Sequence, residues 1–217
     1  MRIYDNKYLS VTSVIGLRKP FNEESFKNWC KQVGKDPEMI LSTSQILGSK
    51  VSEALDNVSR GLEWLTAPPI DQVEENLLSA VDCFLEEYKP VKTEGVVKCE
   101  ELNYAGRYDG IVEDRKTGKT LLADWKTYGA WRNKKYKRSS AKIRKAKWQL
   151  SMYSYAMDWE NDLAVIVFKN DGTWELEQVD YDEDMIDWVR NNQDLILSVV
   201  ENGKTKKVVE TTEILRE

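Results

Sequence analysis

The sequence contains no histidine among its 217 residues. This absence excludes Ser-His-Asp and Cys-His catalysis, and it argues against a structural zinc site, for which histidine is a common ligand. The three cysteines, Cys30, Cys83 and Cys99, are odd in number and lack metal-ligand spacing, so they fit reduced, mostly buried thiols in an intracellular protein. Carboxylate and carbonyl oxygens remain as metal ligands, and they favour Mg²⁺ or Mn²⁺ as a cofactor.

Long hydrophobic runs are also missing, because no apolar stretch is long enough to cross a bilayer. The start of the chain, MRIYDNKYLS, is charged and polar, unlike a signal peptide. Hydrophobic residues make up 41% and charged residues 32% of the chain, which is typical of a soluble globular protein. We therefore expect a single domain over 1–217 that is cytoplasmic (in the host cytoplasm if the source is viral) and has no membrane partner.

The chain to about residue 90 has the hydrophobic period and the capping residues of helices. The predicted helices run from Asn22 to Gly34, from Asp36 to Gly61, and from near Pro69 to Pro90.

The period then changes to that of strands, over a predicted catalytic core that covers about 91–200. The predicted elements are strands at 94–101, 103–113 and 120–126, a helix at 141–159, strands at 163–169 and 173–179, a helix at 182–200, and a polar tail at 201–217. This order indicates an α/β layered domain.

Two aspartates and a lysine lie near the ends of the second and third predicted strands. We place Asp109 late in the second strand, whereas Asp124 and Lys126 close the third. If these strands pair as a hairpin, their ends bring the carboxylates together, and Asp124 and Lys126 point to one face. Adjacent carboxylates repel each other unless a cation lies between them, and the Trp125 carbonyl could supply a further ligand to a divalent ion. Such an ion activates water and polarises phosphoryl oxygens, which predicts phosphodiester hydrolysis.

A basic segment follows at once, although the chain has a net charge of −5. Between residues 127 and 148 there are nine lysines and arginines and no acidic residue, interleaved with aromatic residues that include Tyr128 and Trp148. Basic side chains neutralise phosphates and aromatic rings stack on unpaired bases, so the segment suits single-stranded or frayed DNA. A solvated loop is the alternative. The residues that we predict to bind DNA are Trp131, Arg132, Lys134, Lys135, Tyr136, Lys137, Arg138, Lys142, Arg144 and Lys145.

An Asp-x-Lys triplet occurs by chance in most proteins of this length, but here it is one of five ordered motifs. They are Tyr8-Leu9-Ser10-Val11-Thr12, Gly48-Ser49-Lys50-Val51-Ser52, Ala105-Gly106-Arg107-Tyr108-Asp109, Ala123-Asp124-Trp125-Lys126-Thr127 and Gln149-Leu150-Ser151-Met152-Tyr153. In these motifs the chain resembles the PD-(D/E)xK nucleases, specifically the RecB-like exonuclease branch, which includes mitochondrial genome-maintenance exonucleases and phage recombination exonucleases.

The resemblance implies a restriction-endonuclease-like α/β core, in which helices flank a central mixed sheet in the order α-β-β-β-α-β, with additional N-terminal helices. It also implies that Asp109 and Asp124 bind the metal and that Lys126 is the catalytic lysine. Gln149 and Tyr153 would line the catalytic site from a helix, where they orient Lys126 or contact DNA. Simple core packing is the alternative for Tyr153.

The chain departs from the family at one position, because the helix histidine of the G-[ST]-x-x-H motif is Ser52 here. Serine is a poor metal ligand, but it can hold a metal-bound water. The metal is then bound more weakly, or Glu53 reaches in, or the chain is a degraded nuclease that only binds DNA. An ordinary exposed helix residue is the alternative for Glu53.

Together these features predict a divalent-metal-dependent deoxyribonuclease, most simply an exonuclease on single-stranded or end-exposed DNA, with 5′-phosphate and 3′-hydroxyl products. A phage-like, stand-alone enzyme of DNA repair or recombination fits the compact size. One alternative is a catalytically weak or inactive nuclease-fold protein that binds DNA. Another is a protein-interaction module whose basic face docks on an acidic partner. A homo-oligomer or a recombination partner protein remains open.

Overall fold

The computed structural model describes residues 2–20, 22–65, 68–128 and 140–214. The helices in these ranges are α1 (Val11–Arg18), α2 (Glu23–Val33), α3 (Pro37–Ser59), α4 (Gln72–Glu87), α5 (Ser140–Met157), α6 (Glu183–Asn191) and α7 (Gln193–Ile214). The strands are β1 (Ile3–Tyr4), β2 (Tyr8–Ser10), β3 (Tyr88–Thr93), β4 (Val96–Cys99), β5 (Tyr104–Arg107), β6 (Gly110–Asp114), β7 (Thr120–Tyr128), β8 (Asp162–Lys169) and β9 (Trp174–Val179).

The strands form two mixed sheets that helices flank, which confirms the predicted α/β class. The larger sheet has the order β3-β6-β7-β8-β9, with β7 and β8 parallel and its other neighbours antiparallel. The smaller sheet has the order β1-β2-β5-β4, with β2 and β5 parallel. The predicted order of helix, three strands, helix and strand occurs in the larger sheet as α4, β3, β6, β7, α5 and β8.

A bent two-stranded ribbon joins the two sheets. β3 pairs with β6 in the larger sheet, while their chain neighbours β4 and β5 pair in the smaller one. Between the last pair of one sheet, Thr93 with Gly110, and the first pair of the other, Val96 with Arg107, each chain has two connecting residues. The predicted single strand 103–113 is therefore wrong, because the chain changes sheets in its middle.

The hydrophobic core lies in two layers, one on each face of the larger sheet. The alternation of β7 divides its side chains between them, since Leu122 packs into one layer and Leu121 and Ala123 pack into the other. α5 covers the Leu122 face, and α3 and α4 cover the opposite face. The carboxyl end of β7 is thus held between α3 and α5.

Local capping signals placed two helices correctly. Asn22 Oδ1 accepts a hydrogen bond from Ser25 N at 2.8 Å to begin α2, and Gly34 ends it at φ 67°. Asp36 Oδ1 accepts from Glu38 N at 2.8 Å to begin α3. The third predicted helix, which starts near Pro69, is confirmed as α4, but its predicted end at Pro90 is wrong. Asp71 caps α4, and α4 ends at Glu87.

Strand β3 was not predicted, because Pro90 lies inside it. β3 is at the edge of its sheet, and its register shifts between Pro90 and Lys92. Proline, which has no N–H to donate, is tolerated at edges and bulges of this kind. The element at 182–200 is also two helices, α6 and α7, and the second continues to Ile214 instead of ending in a polar tail. Nor were α1, β1 and β2 predicted near the start of the chain.

In the part of the chain that is described, no helix has both the length and the apolar character needed to span a bilayer.

Candidate active site

Asp109 lies in the bend of the ribbon, between β5 and β6, not late in a strand as predicted. The pairing of β6 with β7 ends at Gly110 and Ala123, so the next residue on each chain is Asp109 on one side and Asp124 on the other. Trp125 N, beyond the last paired residue, donates a hydrogen bond to Asp109 Oδ2 at 2.9 Å. The hairpin thus brings the two aspartates together.

Asp124 and Lys126 project from the same face of β7, because they are two residues apart in an extended strand. The Lys126 ammonium forms an ion pair with Asp124 Oδ2. The Asp124 side chain is only 3% exposed, and the Lys126 side chain is also largely covered. A buried carboxylate is stable only when it is paired, so this ion pair offsets part of the cost of burying Asp124.

The carboxylates of Asp109 and Asp124 share one ammonium group, that of Lys126, so negative charge is in excess. Burial, and after it the Asp124 charge, together raise the pKa of Asp109 to about 7, while Lys126 opposes the shift. Burial lowers the pKa of Lys126, but the attraction of Asp124 and Asp109 outweighs it, so this pKa lies above its usual value. The cluster holds an excess of negative charge beside a lysine that stays protonated.

These residues supply oxygen ligands of the kind that bind a small divalent cation. Asp109 and Asp124 supply two carboxylates. The Trp125 carbonyl points to the same side of β7 as the Trp125 N–H, which donates a hydrogen bond to Asp109. Among the residues described, no group of three or more His, Cys, Asp or Glu side chains could hold a metal. One or two carboxylates, completed by water and substrate phosphate, is the usual coordination of Mg²⁺ in proteins. The donor set therefore fits Mg²⁺ or Mn²⁺.

A cavity of about 540 Å³ opens beside the cluster. α3 forms one wall, the ribbon bend and the end of β7 form another, and α5 contributes Lys142. The lining residues are Ser44, Gln45, Gly48, Ser49, Val51, Ser52, Glu94, Arg107, Asp109, Trp125, Lys126, Thr127 and Lys142. Three cations, Arg107, Lys126 and Lys142, thus line a cavity together with the carboxylates of Glu94 and Asp109.

Ser52 lines this cavity from α3 and is half-buried. Glu53, the next residue, is exposed and is not among the lining residues. Successive helix residues point about 100° apart, so only one of the two can face the cluster. The placement favours Ser52 over Glu53 as the α3 residue that faces the cavity.

Tyr153 is buried on α5 and lies within electrostatic reach of the cluster, since burial and the charges of Asp109 and Asp124 all raise its pKa. A hydrogen bond from the Gln149 side chain opposes this shift. A Cβ at position 106 would lie only 2.7 Å from the Tyr153 ring, so glycine leaves the space that the ring occupies. The glycine of one motif therefore makes room for the tyrosine of another, and Tyr153 both packs in the core and borders the site.

Only part of the predicted DNA-binding segment is described. Lys142 lines the cavity, and its Nζ lies 4.4 Å from the centroid of the Tyr128 ring. Arg144 is exposed and Lys145 half-buried on the same helix. Trp131, Arg132, Lys134, Lys135, Tyr136, Lys137 and Arg138 lie outside the described residues.

Trp148 does not fit the prediction of an aromatic residue that stacks on bases. It is only 7% exposed and belongs to the hydrophobic core, with the Arg18 guanidinium 4.6 Å from its ring centroid. Trp148 therefore packs in the hydrophobic core.

Sequence reasoning missed two charged residues of the site, Glu94 and Arg107. Glu94 lies in the ribbon bend at φ 53°, and its carboxylate pairs with Arg107 Nε at 2.5 Å. The charge of Glu94 also raises the pKa of Asp109. Arg107 lies within the quoted Ala105–Asp109 motif, which could have indicated it. Glu94 enters the site only through the bend, which no local pattern signals.

A second cavity of about 550 Å³ lies elsewhere, where α5 ends and β8 begins. Of the described residues that line it, none is lysine or arginine, and four are acidic: Asp158, Glu160, Asp162 and Asp180. Such a wall would repel phosphates, so this cavity is a poor candidate for a nucleic-acid site.

Comparisons with known proteins address the fold. No protein-family model and no curated protein matches the sequence. The structure is similar to that of a candidate exonuclease from Eubacterium rectale, with a TM-score of 0.52, 13% sequence identity, and coverage of 94% of this chain and 88% of that chain. LHK-Exo, solved in complex with dAMP, has a TM-score of 0.48 at 13% identity, with coverage of 96% of this chain and 95% of that chain. The chain thus shares its overall fold with the candidate exonuclease.

Proposed function

We propose that the protein is a metal-dependent DNA nuclease of the RecB-like PD-(D/E)xK type. It hydrolyses phosphodiester bonds in single-stranded or end-exposed DNA, as an exonuclease, and leaves 5′-phosphate and 3′-hydroxyl ends. One observation carries the proposal: Asp109, Asp124 and Lys126 converge at the edge of a cavity with a basic wall. The fold shared with a candidate exonuclease agrees with it.

Asp109, Asp124 and the Trp125 carbonyl would hold a Mg²⁺ or Mn²⁺ ion, and Ser52 would hold a water beside it. When bound, such an ion supplies the activation of a water and the polarisation of a phosphoryl oxygen. The protein keeps both carboxylates ready for the cation by fixing Asp109 through the Trp125 N–H and burying Asp124. The mutual repulsion of the carboxylates, expressed in the raised pKa of Asp109, is relieved when a cation is present.

Lys126 acts as a cation in this scheme, because the aspartates keep its pKa above the usual value. A protonated ammonium cannot abstract a proton. It can donate hydrogen bonds to a phosphate oxygen and stabilise the negative charge that develops there. Its ion pair with Asp124 fixes its direction along the wall of the cavity. Tyr153 lies within electrostatic reach of the cluster and is hydrogen-bonded to Gln149, so both residues of α5 would support the geometry of the cluster.

DNA would enter along the basic wall. Lys142 lines the cavity near Lys126, and Arg144 and Lys145 follow it on α5. These cations neutralise backbone phosphates without reading the base sequence, so binding should weaken steeply as salt is raised. The whole chain has a net charge of −5 despite this basic segment, so the rest of the chain is acidic, disfavours DNA and restricts it to this face.

The test is hydrolysis of end-labelled single-stranded DNA with Mg²⁺, with Mn²⁺ and with EDTA. The wild-type protein should degrade the DNA only with a divalent ion, and Asp124→Ala should not degrade it. Asp180→Asn, which removes a carboxylate from the acidic cavity, is the control and should keep the wild-type rate. DNA binding without degradation by the wild type would instead support the nuclease-fold binding protein anticipated from Ser52.

A further inference from the structure

Arg107 and Glu94 form an ion pair at the wall of the cavity, beside the carboxylate cluster. Arg107 Nε lies 2.5 Å from Glu94 Oε2. The Arg107 side chain is 50% exposed, whereas that of Glu94 is 30% exposed. Both residues line the cavity that contains Asp109 and Lys126. The proposed hydrolysis uses neither of them, so their arrangement requires a separate explanation.

The pair is held by the backbone of the ribbon bend. Glu94 is not glycine, yet it has φ 53°, a conformation that side-chain-bearing residues adopt at an energetic cost. Glu94 N donates to Asp109 O at 3.0 Å, and Tyr108 N donates to Gly95 O at 3.0 Å. These bonds fix the Glu94 backbone directly against that of Asp109. The bend therefore positions Glu94, and Glu94 in turn positions Arg107.

Arg107 is half exposed and lines the cavity, so its guanidinium is accessible from there. Glu94 engages the inner nitrogen, Nε. Among the described residues, no acceptor is bonded to either terminal nitrogen of Arg107. A planar fork that is fixed at one nitrogen and open at the other two is well suited to a phosphate, which accepts hydrogen bonds through two oxygens at once. A carboxylate that only neutralised Arg107 would not need this orientation.

The distance from the cluster indicates which phosphate it would be. Arg107 and Asp109 are two residues apart across the bend, so their Cα atoms are at most about 7 Å apart, and both residues line the same cavity. Consecutive phosphates of a nucleic-acid strand have a similar spacing. A strand whose reacting phosphate lies at the Asp109–Asp124 cluster would therefore present a neighbouring phosphate to Arg107.

We propose that Arg107, oriented by Glu94, binds the phosphate adjacent to the one that is hydrolysed. This inference rests on the proposed function, because it takes the cluster as the place of the reacting phosphate. Arg107 is then the binding residue and Glu94 a positioning residue. The site recognises a nucleic-acid backbone phosphate and not a base.

The experiment uses a set of short single-stranded DNAs in which one phosphate at a time is replaced by an uncharged methylphosphonate. Binding is measured by fluorescence anisotropy in EDTA, so that no hydrolysis is needed. At one linkage the neutral group should weaken wild-type binding about tenfold, as expected for a lost hydrogen bond between charged groups. Arg107→Ala should weaken binding of the unmodified DNA by a similar factor and be insensitive to substitution at that linkage.

Three further variants separate contact from structure. Glu94→Gln, which removes the charge of the partner but keeps a hydrogen-bond acceptor, should reduce the effect at the same linkage only. Arg107→Lys, which keeps the charge but loses the planar fork, should keep part of the effect and serves if Arg107→Ala does not fold. Arg190→Ala is the matched control, because Arg190 also pairs with a carboxylate, Asp187, at 2.9 Å, with a side chain that is 44% exposed. It should leave the methylphosphonate profile unchanged.

The outcomes distinguish the two proposals. If the loss of binding in Arg107→Ala and the loss from the neutral group add independently at every linkage, the Arg107 site is overturned, even if hydrolysis with Mg²⁺ is observed. Loss of sensitivity at one linkage in Arg107→Ala supports the site, even if the wild type does not hydrolyse DNA. Failure of the wild type to bind any of these DNAs overturns both.

Discussion

The basic-walled and the acidic cavity, both formed by described residues, have nearly the same volume, about 540 and 550 Å³, but opposite electrostatic character. One is lined by the cations Arg107, Lys126 and Lys142 together with the carboxylates of Glu94 and Asp109, whereas the described lining of the other has carboxylates and no lysine or arginine. Volume therefore does not identify the functional site. Acidic and basic side chains in one cavity are the better indicator of a functional site, because together they can bind a cation and a phosphate.

The carboxylates of the two cavities also differ in their environment. Asp124 is 2% exposed and sits in a strand, whereas Asp158, Glu160 and Asp180 are exposed on loops or element ends. Charges in water are screened and interact weakly, but charges held in the interior influence each other strongly. This is why the pKa of Asp109 is raised by Asp124, and why removing one charge from each cavity should have very different results.

The largest difference between the cavities is expected in activity. Replacing Lys126 with Ala should reduce the rate of DNA hydrolysis by about 100-fold or more, because a fixed cation at the developing charge is lost. Lys116→Ala, at an exposed turn, should remain within about twofold of the wild type, as expected for a surface change. The measurement is the initial rate at saturating DNA with Mg²⁺. Equal rates for the two variants would contradict the role of Lys126.

The second largest effect is expected in metal-dependent stability. Mn²⁺ at 100 times its dissociation constant should raise the free energy of unfolding by about 2.7 kcal/mol, because it binds only the folded site. Asp109→Asn should abolish this gain, while Asp180→Asn should keep it. Thermal melts with Mn²⁺ and with EDTA measure both variants. A gain that survives in Asp109→Asn but disappears in Asp180→Asn would assign the metal to the acidic cavity.

A smaller effect is expected when Ser52 is replaced by the histidine of the motif that it resembles. Ser52→His should lower the Mn²⁺ concentration for half-maximal hydrolysis several-fold, since imidazole is a better ligand than a hydroxyl. Ser42→His, on an exposed turn of α3, adds a histidine that does not line the cavity and should have no effect. A Mn²⁺ titration of the initial rate compares them. If Ser52→His needs as much Mn²⁺ as the wild type, Ser52 does not face the metal.

The smallest effect is expected in the pH dependence of the metal-free protein. The pKa of Asp109 is about 7 in the folded state and near 4 in the unfolded chain, so the folded state binds the proton more tightly. The free energy of unfolding should therefore fall as the pH rises from about 4 to about 7. Asp109→Asn should lose this part of the slope. Urea melts in EDTA across this range measure it, and an unchanged slope in the variant would contradict the coupling.

The parts of this fold that could be predicted are those that local sequence determines. Asn22 and Asp36 begin helices through their own side chains, and the turn between β6 and β7 joins strands that are adjacent in sequence. The convergence of Asp109 and Asp124 was therefore within reach, because it follows from that single hairpin.

Features that depend on distant contacts could not be predicted. Pro90 predicts a helix end from its local sequence. It lies inside β3 instead, because β3 is at the edge of its sheet, where proline is tolerated. Asp109 was placed inside a strand because the change of sheets at the bend has no local signal. The basic segment predicts that Trp148 stacks on bases, but Trp148 is buried in the core because of contacts that the segment itself does not reveal. The partnership of Glu94 with Arg107 depends on the same bend.

The central claim is that Asp109 and Asp124 hold a divalent cation. It is tested most directly by a crystal structure of the protein soaked in Mn²⁺, with the ion located by its anomalous scattering. The account predicts a Mn²⁺ peak between the two carboxylates, within bonding distance of both and of the Trp125 carbonyl. A peak in the acidic cavity with none between these aspartates would contradict it.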